Sequence, residues 1–143
     1  MSKESEKELR ERMRSVPLFS SLKDSQLKSI VASGKRQAYP EGHVIEREGE
    51  NGVAFYLVLE GAVEVRRKGK VLAKLRSGEF FGEMSLLDKS PRSSDVVASD
   101  PTVCFVLPSW DFIARVRTSN EFALSLLKTL VHRLRESNKA LSD

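Results

Sequence analysis

Residues 80–97 read F-F-G-E-M-S-L-L-D-K-S-P-R-S-S-D-V-V. Two aromatics close a strand, and Gly82 supplies a backbone without a side chain, which a ligand can approach closely. Residues 83–87 are good helix formers and predict a single helical turn. The first N–H groups of such a turn have no internal partner, and they favour an anion. Glu83 offers two acceptor oxygens suited to a sugar hydroxyl. Nine residues later Arg92 follows Pro91, at the expected start of a strand. A guanidinium grips phosphate in a fork and stays charged at any relevant pH. Ser93 and Ser94 add small hydroxyls and N–H groups beside it. Gly82, Glu83, Met84, Ser85, Arg92, Ser93 and Ser94 therefore form the candidate ligand-binding set, a phosphate cradle with a ribose hook. The same residues also read as an ion pair between Glu83 and Arg92, or as two solvated charges.

Around this segment, residues 36–107 read as strands and turns. Seven of the eight glycines lie between Gly42 and Gly82. They punctuate short β-rich runs at residues 54–59, 62–66, 71–75 and 102–107, and residues 62–66 alternate apolar and polar as a half-buried strand does. Short strands with frequent turn signals predict a sandwich, barrel or jelly roll. Helices flank this block. In residues 1–34, Leu9, Met13 and Val16 share a helical face, and Pro17 ends that helix. Leu18 and Phe19 form a short apolar plug. Ser21 and Asp24 resemble an N-cap before a stripe of Leu27, Ile30 and Val31, and Gly34 stops that helix. The expected fold class is α+β, an antiparallel jelly-roll-like β-roll flanked by N-terminal helices and a long C-terminal helix, in one domain spanning residues 1–143.

Residues 109–141 form the second helical block. Ser109 caps a short helix whose Trp110, Phe112 and Ile113 belong to a core. Thr118 and Glu121 have capping-box spacing. The long helix that follows carries Leu127, Leu130, Leu134, Ser137 and Leu141 at alternating steps of three and four. Such a stripe either packs on its own domain or forms a self-association seam.

The composition narrows the functional classes. The chain has 143 residues, a net charge of +4, 40% hydrophobic and 31% charged residues, as an ordinary soluble domain does. Its longest apolar run, residues 53–59, is too short to span a bilayer. The charged N-terminus lacks the apolar stretch of a secretory signal. Basic and acidic side chains interleave over residues 3–14, which argues for a solvated helix face over a nucleic-acid arm. Cys104 is the single cysteine and sits in an apolar strand, which fits an inert buried thiol in a reducing cytoplasm. His43 and His132 lie in separate blocks, so no metal set or catalytic triad assembles. The chain reads as no enzyme, with no cofactor or metal, no membrane and no nucleic-acid partner.

The segment F-G-E-M-S-L-L-x-x-x-P-R-S-S resembles the phosphate-binding cassette of cyclic nucleotide-binding domains, whose usual pattern is F-G-E-x-A-L-L-x-x-x-P-R-A/T/S-A. Residues 39–45, 48–50, 55–65 and 16–22 are similar to that family's first β-roll turn, central hairpins and leading helical turn. The resemblance covers roughly residues 15–138. It implies that Arg92 neutralises the cyclic phosphate, that Glu83 accepts from the ribose 2′-hydroxyl, and that backbone N–H groups near Ser85 and Ser93 complete the cradle. It departs from the family at Ser85, Ser94 and Asp95, and Asp95 is expected to weaken the field of Arg92. The C-terminal helix is similar to that of catabolite activator proteins around Arg133, so Ser137 and Asn138 would cap the base. The ligand implied is cAMP before cGMP. The partner implied is an effector protein or second subunit, possible homodimer included, reached through the C-terminal helix. Catabolite activators carry a DNA-binding domain after that helix, so the chain reads as a stand-alone sensor or as the sensor fragment of a dimeric transcription factor. A ligand-free β-roll interaction module is the alternative from another class.

Overall fold

The unbroken hydrophobicity of residues 53–59 follows from burial on both faces of a strand. In the computed structural model, which describes residues 5–142, this run forms β3 (Ala54–Glu60). Successive side chains point to opposite sides of a strand. Phe55, Leu57 and Leu59 face the helices, whereas Ala54, Tyr56 and Val58 face a second sheet. The first sheet combines β3 with β1 (Lys35–Tyr39), β6 (Phe80–Phe81) and β8 (Thr102–Pro108) in the order β1-β8-β3-β6. The second combines β2 (Val44–Glu46), β4 (Ala62–Arg67), β5 (Lys70–Arg76) and β7 (Asp95–Ala98) in the order β2-β7-β4-β5. Every strand pairing is antiparallel. Long-range pairings such as β1 with β8 and β2 with β7 make this a jelly-roll-like β-roll, as the turn spacing predicts.

The helices cover the outer face of the first sheet. They are α1 (Glu6–Arg14), α2 (Asp24–Ser33), α4 (Ser109–Thr118) and α5 (Asn120–Ser142), while α3 (Glu83–Asp88) sits between β6 and β7. Their core side contributes Met13, Phe19, Leu27, Phe112 and Phe122, all almost fully buried. Phe112 joins sheet to helix. It stacks on Phe55 at 4.8 Å and meets Phe122 edge-on at 5.9 Å. Each such pair contributes about 1 kcal/mol beyond its area burial.

Local details differ from the sequence reading. Lys23, not Ser21, occupies the N-cap of α2, because the Ser21 hydroxyl bonds Ser125 on α5 at 2.8 Å. The cap expected at Thr118 falls one residue later, at Ser119. Thr118 still belongs to α4, where its hydroxyl donates to the Ala114 carbonyl, and Ser119 accepts from the Phe122 N–H at 3.2 Å. Trp110 is 72% exposed, since the two-residue step to Phe112 puts the two rings on opposite faces of the helix. Arg92 lies in a loop, for β7 begins only at Asp95.

The seam on α5 also changes register. Phe122 and Leu126 are buried, and Leu130, expected on the seam, packs against the same core. The exposed apolar side chains are Leu124, Leu127, Val131, Leu134 and Leu141. With Asn138 they follow steps of three and four without interruption, on a face beside that of Leu126. No helix among the described residues is long and apolar enough to cross a membrane. The charged residues 1–4 lie outside the described residues.

Replacing Phe112 by Ala removes the ring shared by sheet, α4 and α5. It should destabilise the protein by about 3–5 kcal/mol in guanidinium unfolding, the usual cost of a large buried aromatic.

Candidate functional site

The strand–turn–helix at residues 80–88 is shaped by Gly82. Its φ is +91°, a left-handed conformation. A Cβ there would lie 2.7 Å from Glu46 Oε1, 2.9 Å from the Ala54 carbonyl and 3.2 Å from Arg92 Nη1. Both conformation and space therefore require glycine. The Arg92 backbone is fixed from the other side. Its N–H donates to the Glu50 carbonyl at 2.8 Å, and its carbonyl accepts from the Gly49 N–H at 2.9 Å.

These constraints bring Arg92 into the interior, where its side chain is 5% exposed. Nη1 donates to Ser85 Oγ at 2.6 Å and to the Gly82 carbonyl. Nη2 donates to the Ala54 carbonyl at 2.9 Å and lies 2.8 Å from Glu46 Oε1. Glu46 was not among the residues singled out from sequence. It is one of four glutamates between residues 41 and 50, and nothing in that run distinguishes it. Only pairing with β7 turns it inward, to 7% side-chain exposure. Burial pushes its carboxyl up to about 7, against the pull of Arg92 and with help from Glu83.

Glu83 does not pair with Arg92, which settles one reading of the cassette. It opens α3, and its side chain is 4% exposed. Oε1 accepts from Arg133 Nη1 of α5 at 3.1 Å. Arg133 also donates to the Phe80 carbonyl at 2.7 Å, and its guanidinium lies 4.1 Å from the centre of the Phe80 ring. Glu83 Oε2 is buried with no hydrogen-bond partner among the described residues. Burial raises the Glu83 pKa, with Arg133 the largest opposing influence. Asp95 does not face Arg92; it accepts from the Glu48 N–H at 2.7 Å and holds the preceding turn.

All of this surrounds one cavity of about 680 Å³. That volume lies within the usual range for a small-molecule site, roughly 300–1,000 Å³. Gly82, Glu83, Met84, Ser85, Arg92, Ser93 and Ser94 line it, as do Glu46 and Arg133. Ser137 and Asn138 do not: both are exposed further along α5, and the helix meets the cavity through His132, Arg133 and Glu136. His43 stacks on Tyr39 far along the chain from His132, and no metal-holding cluster exists among the described residues. Cys104 is fully buried, with its thiol pushed up to about 12 by desolvation.

The two charge pairs differ in burial. Removing one partner of a pair as buried as Arg92–Glu46 costs about 3–5 kcal/mol. In the other pair Glu83 is as deeply buried, but Arg133 is 32% exposed.

Comparison with known proteins agrees with this geometry. A family model described as cyclic nucleotide-binding domain matches residues 36–119. The cyclic AMP receptor protein of Thermus thermophilus is 37% identical over 134 residues, covering 90% of this chain and 62% of that protein. The crystal structure of the Thermus thermophilus catabolite activator protein superposes with a TM-score of 0.76 at 37% identity, over 88% of this chain and 62% of that one. A cGMP-dependent protein kinase of Eimeria tenella is 37% identical over 97 residues, 68% of this chain and 10% of the kinase. The chain thus spans under two thirds of the length of these relatives.

Arg133→Ala should loosen α5 from the cassette. Amide hydrogen exchange is expected to accelerate in α5 beyond residue 130 while β3 keeps its protection; unchanged exchange in that segment would show that Arg133 holds nothing.

Proposed function

The chain belongs to the cyclic nucleotide-binding domain family, and from that premise we propose that it is a sensor whose ligand bridges Arg92 and Glu83 and whose signal leaves through α5. The observation that carries this reading is the presence of two features in one cavity. One is a buried guanidinium; the other is the carboxylate oxygen of Glu83 that lacks a partner. Arg92 would meet the cyclic phosphate, with Ser85, Ser93 and Ser94 and their backbone N–H groups around it. Glu83 would accept the ribose 2′-hydroxyl, with Gly82 and Met84 bordering the sugar.

The ribose then competes with Arg133 for Glu83. A ligand shifts a conformational equilibrium only through affinity that differs between the states. Release or reseating of Arg133 supplies that difference, and the base closes under α5, with Arg133, Ser137 and Asn138 as its polar neighbours once the helix moves. We favour cAMP over cGMP, in keeping with the name of the Thermus relative and the likeness of the C-terminal helix. The kinase relative and Ser93, directly after Arg92, keep cGMP as the second ligand to test. The described residues act as one binding unit, in the cytoplasm, without catalysis, cofactor, metal, membrane or nucleic-acid contact.

The exposed stripe on α5 is the output surface. Val131 and Asn138 alternate with Leu127, Leu134 and Leu141 in the a and d pattern of a parallel two-stranded coil, and a single polar a position sets register. A second subunit is its first candidate and an effector helix its second.

One observation favours a ligand-free interaction module instead: both terminal nitrogens of Arg92 already have protein acceptors. Calorimetric titration of the purified, nucleotide-free protein with cAMP and cGMP separates the two readings. One-to-one saturable binding supports the sensor; no heat with either ligand at millimolar concentration supports the module. Arg92→Ala should weaken binding by about 2–5 kcal/mol, the usual cost of unpairing a buried charge. Near-wild-type affinity in that variant, once circular dichroism shows it folded, removes the proposed site. In sedimentation, wild type should run as a dimer and Leu134→Glu as a monomer; a monomeric wild type would assign the stripe to an effector.

A further inference from the structure

We propose that Glu46 is an internal competitor for the nucleotide's phosphate, setting affinity and making nucleotide binding take up a proton. This rests on the sensor reading above and concerns the same cavity.

The argument begins with donors. A guanidinium has five N–H groups, two on each terminal nitrogen. In Arg92 the two on Nη1 face the Gly82 carbonyl and Ser85 Oγ; on Nη2 one donates to the Ala54 carbonyl, and the charge of Glu46 Oε1 lies 2.8 Å from the same nitrogen. Two of these acceptors are backbone carbonyls fixed by Gly82 and by β3. A phosphate that grips the fork must therefore take over a position held by Ser85 or by Glu46. Ser85 is neutral and its hydroxyl can turn to donate to the phosphate. Glu46 carries the same sign of charge as the phosphate, and the two anions would share one buried cation.

Among the described residues, Arg92 is the cation that acts on Glu46. Arg92 faces it from the cassette loop, Glu83 from α3, Tyr56 from β3 and Tyr39 from β1. Both phenols are held neutral by burial, and Glu83 adds a second negative charge. Across the sheet its partner on β7 is Val96. Its Oε1 is buried within 2.8 Å of Arg92 yet makes no well-directed hydrogen bond. The contact is thus one of charge alone, and protonation removes it. A neutral Glu46 carboxyl can instead donate a proton to the phosphate oxygen.

The sign follows directly. In the nucleotide-free protein the carboxyl titrates at about 7. A bound phosphodiester anion raises that value further, since a like charge disfavours ionisation. Below neutral pH Glu46 is protonated in both states and affinity is flat. Above it, binding takes up one proton, and affinity falls as pH rises, by at most about tenfold per pH unit. Glu83 also has a raised pKa, but it must be ionised to accept the ribose hydroxyl, so its titration would make affinity rise with pH, the opposite sign.

The test is calorimetric titration with cAMP, and with cGMP, at pH values from about 6 to 9, in two buffers of different ionisation heat. Wild type should lose affinity steadily above neutral pH, with a buffer-dependent heat equivalent to as much as one proton taken up. Glu46→Gln should bind at least about tenfold tighter than wild type at the alkaline end, with a flat profile. A wild type that binds nucleotide equally well across the range with no buffer-dependent heat overturns the role of Glu46 and leaves the sensor reading intact. A Glu46→Gln variant that retains the wild-type slope overturns it too, since the proton is then taken up elsewhere. The wild-type profile needs no substitution, so it decides even if the variant does not fold. Absence of binding by both proteins at every pH overturns the sensor reading, and the role of Glu46 falls with it.

Discussion

A guanidinium buried at 5% exposure is the constraint around which this protein is arranged. A charge in that position is tolerated only if its hydrogen bonds are answered and its sign is compensated. Gly82 must be glycine so that its own carbonyl and that of Ala54 can reach Arg92. Gly52 meets the same demand from the opposite side, where a Cβ would lie 2.8 Å from Arg92 Cζ. The turn at residues 49–50 clamps the Arg92 backbone. Even the continuous hydrophobicity of β3 serves this arrangement, because a strand buried on both faces is a rigid place from which to offer a carbonyl.

Around that fixed point, charges pair crosswise. The cassette's own acid and base, Glu83 and Arg92, do not meet. Each reaches outside the cassette, Arg92 to β2 and Glu83 to α5. The first link is dry, and it ties the cassette to the second sheet. The second is exposed on its Arg133 side, and it ties the cassette to α5.

Legibility in the sequence followed the range of the forces involved. The strand–turn–helix at residues 80–88 was readable because glycine, helix formers and proline act over a few residues. The β-roll was readable from turn spacing, and β3 from its length and apolar run. Caps were missed by one or two residues, at Lys23 and Ser119, where a competing hydroxyl contact decided the outcome. Trp110 was expected inside and lies outside, because a short amphipathic helix has no periodicity strong enough to rank its aromatics. The α5 stripe was found but in the wrong register, since Leu130 and Leu127 look alike until the position of the sheet is known.

What the sequence determined by itself was the fold class and the local shape of the cassette, because both depend on residue type at short, fixed spacing. What only the tertiary structure decided was the pairing of charges. Glu46 and Arg92 are separated by 46 positions of chain and Glu83 and Arg133 by 50, and they meet through sheet closure and the docking of α5. Electrostatic partnership inside a protein depends on distance and burial, and neither is a property of any one stretch of chain.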